Sequence, residues 1–85
     1  MSHNVSKFRP LEFFLESQHK QIIRLTFEEI EKIIGMPLCE SAYKYTAYWH
    51  PSKTHVLPNM IIGTGYIIES VDLQKKIITL RLARQ

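Results

Sequence analysis

The sequence predicts an α+β fold, and three observations carry that expectation. Residues 25–49 read as two consecutive short helices with a tight break between them. Residues 75–82 alternate, with Ile78, Leu80 and Leu82 on one face and Ile77, Thr79 and Arg81 on the other, which is the period of a strand. Residues 60–71 are dense in isoleucine, glycine and tyrosine and supply a partner for that strand.

In chain order, residues 1–6 have little to bury and are expected as a loose tail, leaving residues 7–85 as a single domain. Pro10 suits the first turn of a helix over residues 10–18, in which Leu11, Phe14, Leu15 and Gln18 share a face with Phe13 beside them. Residues 21–25 are short and branched, as a brief strand requires. Thr26 then caps a helix, and Glu29, three residues on, completes a capping box. Phe27, Ile30, Ile33 and Ile34 form its buried stripe, and Gly35 suits the left-handed residue that stops it.

Pro37 disfavours helix at Met36 and makes the break. Leu38, Ala42, Tyr45 and Trp49 recur at helical spacing with Cys39 alongside, predicting a third helix over residues 38–48 with those side chains in the core. Residues 50–59 carry two prolines with polar residues and read as a loop. The final hairpin turns at residues 72–75, and Gly63 and Gly65 suggest a bulge or a close approach in its first strand. The resulting order, α-β-α-α-β-β with a C-terminal antiparallel hairpin, is winged-helix-like.

At 85 residues, with 45% hydrophobic and 22% charged content, the chain suits one modest core and leaves no room for an elaborate catalytic scaffold. The net charge of +3 is unevenly spread. From Ser41 onward, Lys44, Lys53, Lys75, Lys76, Arg81 and Arg84 face only Glu69 and Asp72, so a phosphate-facing surface or an ordinary solvated one could sit there. A single cysteine excludes an internal disulfide and fits a reducing cytoplasm. No secretory signal and no apolar run of membrane-spanning length is visible, so the expected location is cytoplasmic, without a membrane partner.

Residues 25–49 also resemble a small bacterial and phage domain family of unknown function, with the pattern Leu-Thr-Phe-x-Glu-Ile-Glu-x-Ile-x-Gly, then Leu-Pro-x-Ser-Ala, a Trp pair and a later glycine-aromatic step. Leu25, Thr26, Phe27, Glu29, Ile30, Glu31, Ile33 and Gly35 match the first part, Leu38, Ser41 and Ala42 the second, Trp49 the third, and Gly65 and Tyr66 the last. Cys39 stands where the pattern has proline, and Tyr48 replaces one tryptophan. The resemblance implies domain boundaries and no activity.

For function, the third helix is the natural reader in a helix-turn-helix pair. Ser41, Lys44 and Tyr48 fall at i, i+3 and i+7, with Tyr43 and His50 nearby, and Lys53, Lys75 and Lys76 would support them on phosphates. The helix offers no arginine, asparagine or glutamine for bidentate base contacts. Glu28, Glu29 and Glu31 would repel a duplex if they faced it, or simply suit a helix N-terminus. The expected function is a small DNA-binding protein, as of a prokaryotic or phage regulator, with double-stranded DNA as partner. The alternative is a protein-interaction module, such as a phage-encoded inhibitor or accessory subunit, using the same tyrosines or an exposed strand edge.

Cys39, His50, His55, His19 and His3 lack the closely spaced pairs of a zinc site, and no phosphate loop or nucleophile motif appears. Glu28, Glu29, Glu31 and Lys32 do not lie on strands meeting at a metal, as nuclease acids would. No metal, no cofactor and no enzyme activity are expected. A homodimer could form through residues 75–82 if that strand is an edge, unless Arg81 and Arg84 protect it.

Overall fold

Alternation in the last strand organises the sheet. The computed structural model describes residues 8–51 and 56–83; the expected tail, Lys53, His55 and Arg84 lie outside them. The described elements are α1 (Arg9–Glu16), β1 (Ile22–Thr26), α2 (Phe27–Ile34), α3 (Glu40–Lys44), a 3-10 turn (Thr46–Trp49), α4 (Val56–Gly63), β2 (Tyr66–Asp72) and β3 (Ile77–Leu82). Ile78 and Leu80 are fully buried, whereas Ile77, Thr79 and Arg81 take the opposite face.

The three strands are antiparallel in the order β1-β3-β2. β3 is therefore central, with Ile23 opposite Leu80 on one side and Ile68 opposite Leu80 on the other. Residues 77–82 are thus not an edge, which was the condition for a homodimer through residues 75–82. The edges are β1 and β2, because Ile23 and Leu25 also need a buried face and β1 finds it by pairing with β3 across the whole chain.

Helices cover one face of the sheet. In α1, Leu11 and Leu15 are buried, while Phe13 is exposed with the Arg9 guanidinium 5.2 Å from its ring centroid. Tyr66 is fully buried in β2, and its hydroxyl donates to the Lys20 carbonyl at 2.7 Å, fastening β2 to the segment between α1 and β1. The α2 signals hold as read. The Glu29 amide donates to Thr26 Oγ1 at 3.0 Å, the Thr26 amide donates to Glu29 Oε1 at 2.8 Å, and Gly35 ends the helix at φ 78°. Thr26→Ala is expected to cost about 1 kcal/mol, and a denaturation midpoint unchanged by the substitution would contradict this.

Two stretches differ from the expectation. Of the loop expected over residues 50–59, residues 52–55 lie outside the described residues; from Val56 on, the loop and the strand start expected at residue 60 give way to α4, with Leu57, Pro58 and Ile61 buried. Pro58 lies in the first turn, where a missing N–H leaves no helical bond unmade, so the proline that reads as a loop signal is compatible with helix. Gly63 and Gly65 accordingly do not bulge a strand. Gly63 ends α4, Gly65 turns at φ 99°, and the β-bulge lies between Ile68 and Ser70. The third helix is the other correction: it spans only Glu40–Lys44, because Tyr45 is extended at φ −128° and ψ 126° and the chain restarts as the 3-10 turn.

Candidate functional site

The break between α2 and α3 is built around one carboxylate. Gly35 turns the chain out of α2, which leaves the amide of Leu38 without a helical acceptor. Glu31 supplies it: its Oε2 accepts from the Leu38 N–H at 2.8 Å and from the Tyr43 hydroxyl at 2.6 Å. The hydroxyl and then the amide hold the Glu31 carboxyl below its ordinary range. The same bond, with burial behind it, pushes Tyr43 up to about 12.

Tyr43 is thereby turned inward. Its ring meets Phe27 edge-on at 5.1 Å, Phe27 stacks on Trp49 at 5.1 Å, and Tyr48 meets Trp49 edge-on at 5.2 Å. Trp49 is 1% exposed, and its Nε1–H donates to the Ala42 carbonyl at 3.1 Å. Burial pushes the Tyr48 phenol up to about 12, with a smaller push from the Cys39 thiol beside it.

The expected reading row therefore does not assemble. Ser41 and Lys44 are exposed on α3, and Lys44 Nζ lies 2.8 Å from Glu40 Oε2, a surface pair of little energetic weight. Tyr48 leaves their face because the helix stops before it, and His50 follows the 3-10 turn on another side. Tyr45, expected in the core, is 59% exposed, since the extended backbone there turns it away. Cys39, also expected in the core, is exposed, because the helix starts one residue later and leaves it as the extended cap. Lys53 lies outside the described residues.

Two clefts result. The first, of about 430 Å3, gathers Tyr43, Lys75 and Lys76 with Glu28 and Glu31, because the Lys76 carbonyl accepts the Phe27 N–H at 2.8 Å and docks the hairpin turn on the start of α2. Lys76 takes a left-handed φ of 59°, and the Lys75 amide is fixed by Asp72 Oδ1 at 3.0 Å. The second, of about 300 Å3, lies between the 3-10 turn and the outer side of β2, with Trp49, Pro51, Ile62, Ile68 and Val71 as its apolar walls and His50, Glu69 and Ser70 among its polar ones.

A family model described as Domain of unknown function (DUF7662) matches residues 8–83, which is nearly all of the chain. The chain belongs to that family. No curated protein and no solved structure matches it.

Within this DUF7662 domain, no group of three or more histidine, cysteine, aspartate or glutamate side chains gathers to hold a metal among the described residues. No helix there is long and apolar enough to cross a membrane. Two features of the site lie beyond the sequence signals above. Glu31 carries a faint one, an acid one turn before a glycine-proline break, where freed amides need an acceptor. The β2 cleft carries none, since it depends on which strand is central.

Proposed function

We propose that this domain is a non-enzymatic binding module whose partner is a protein, in the manner of an inhibitor or accessory subunit of prokaryotic or phage origin. The observation that carries this reading is the mostly apolar cleft beside the outer edge of β2, walled by Trp49, Ile62, Ile68 and Val71.

A winged-helix-like contact with duplex DNA is the second reading, favoured by the exposed Lys75 and Lys76 at the hairpin turn. The helix that would enter a groove is poorly suited to it. α3 has five residues and Tyr43 is turned inward. Glu28 and Glu31 share the cleft with the two lysines, and carboxylates there oppose phosphate.

A fluorescence titration of labelled random-sequence duplex DNA at low salt separates the two. No saturable binding is expected. Saturable binding that weakens steeply with salt and disappears in a Lys44→Glu, Lys75→Glu, Lys76→Glu variant would establish the DNA reading instead.

A further inference from the structure

A β-bulge decides which side chains stand on the open face of the sheet. Arg24, Thr79 and Arg81 alternate with buried residues and take the face that the helices leave uncovered. In a regular β2, alternation from Ile67, which lies opposite Arg81, would bring Glu69 opposite Thr79 on that face. The bulge between Ile68 and Ser70 inserts one residue, so Ser70 takes that place and Glu69 lies 3.7 Å from Arg81 instead. A hydroxyl thus stands where a carboxylate would, in the row Arg24, Thr79, Ser70 that crosses all three strands.

That row lines an open cleft of about 350 Å3, with Ile77, Asp72 and Lys75 beyond it at the hairpin turn. Neither Arg24 nor Lys75 has a carboxylate partner among the described residues, and neither the Ser70 nor the Thr79 hydroxyl is engaged by another group there. Two cationic side chains and two hydroxyls therefore line one space with no acceptor from the protein. Asp72 is the one carboxylate in the wall, and its Oδ1 accepts from the Lys75 amide at 3.0 Å. A guanidinium fork, an ammonium and hydroxyl donors are the set that holds a phosphoryl group.

We propose that this cleft binds one phosphoryl group, carried on a phosphorylated side chain of the partner protein, with charge from Arg24 and Lys75 and hydrogen bonds from Ser70 and Thr79. The occupant rests on the protein-partner reading above, whereas the anion site stands without it. Shape and charge argue for that occupant. The cleft is open on the sheet face, so it grips an anionic group and leaves the carrier outside. Ser70 also lines the apolar cleft beside β2, which makes the two clefts one continuous surface. Asp72 in the wall and Glu69 beside it oppose a run of phosphates, but two cations against one carboxylate still favour a single one.

Amide chemical-shift titration of the full-length protein with inorganic phosphate, against chloride at matched ionic strength, tests the site. A phosphoserine peptide library screened beside its unphosphorylated counterpart tests the occupant. Phosphate should shift Arg24, Ser70, Lys75 and Thr79 saturably. Its affinity should fall about tenfold or more in Arg24→Gln, and likewise in Ser70→Asp, which returns a carboxylate to the cleft. Both positions are exposed, so the fold tolerates the changes, and Lys32→Gln on α2, outside the cleft, should bind as the native protein does. Shifts that do not saturate, or that persist equally in both variants, would overturn the site. Phosphorylated peptides should be enriched and bind about tenfold or more tighter than inorganic phosphate, through contacts of their flanking residues. Phosphate binding with no preference for phosphorylated peptides would overturn the partner as the source and give the site to a small phosphate. Either failure leaves the protein-partner reading to the duplex titration.

Discussion

Trp49→Ala is expected to cost about 3–5 kcal/mol, the range for truncating a large buried aromatic. Trp49 is 1% exposed and is the joint of the aromatic cluster, stacked on Phe27 and flanked by Tyr48, with its Nε1–H on the Ala42 carbonyl. Truncation removes the stack, leaves a cavity between α2 and α3, and strands a buried carbonyl. A domain of this size has a net stability of about 5–15 kcal/mol, so the substitution consumes a large part of it. Urea denaturation followed by circular dichroism measures the loss, since the only tryptophan is gone as a fluorophore. Trp49→Phe should cost less, because it keeps a ring against Phe27 and gives up mainly the hydrogen bond. A cost below about 1 kcal/mol for the alanine variant would mean that the cluster is not the keystone of the core.

Glu31→Ala is the second large effect, expected at about 2 kcal/mol at neutral pH. The Leu38 amide loses its acceptor and Tyr43 its anchor, so the entry into α3 is freed. The same contacts make stability depend on pH. Because the folded carboxyl titrates below its ordinary value, its contribution is present above that value and is lost as the pH falls through the folded one. Tyr43 works in the opposite direction. With its phenol pushed from 10.0 up to about 12, its contribution is complete below pH 10 and is lost as the pH rises toward 12. Denaturation midpoints across pH should therefore show an acid limb that flattens in Glu31→Gln and an alkaline limb that shrinks in Tyr43→Phe. Part of the alkaline limb should remain, owing to Tyr48, whose burial raises it to about 12 as well. An acid limb of unchanged slope in Glu31→Gln would contradict the assignment.

The parts of the fold legible in the sequence are those whose causes are local. The Thr26 cap, the apolar stripe of α2 and the Gly35 stop lie within ten residues of one another, and each behaves as its chemistry dictates. The alternation of β3 is likewise legible, because one face must be buried. What the sequence hides depends on distant partners. Nothing near residues 75–82 says that β1 will pair with them, so a central strand is indistinguishable from an edge. Tyr45 fits the apolar periodicity of a longer α3, but the Glu31 clamp and the Trp49 stack set where that helix stops, and both act across the break. Pro58 reads as a loop signal unless its position in a first turn is known.

The same distinction governs the candidate site. Ser41 and Lys44 take the exposed face that their spacing predicts, yet Tyr43 and Tyr48 leave it for structural duties that spacing alone cannot show. The β2 cleft emerges only once the strand order is known.

Amide chemical-shift mapping of a labelled sample titrated with random duplex DNA at low salt tests the central claim most directly. The spectrum should stay unchanged. Saturable shifts at Ser41, Lys44, Lys75 and Lys76 that weaken with added salt would contradict it.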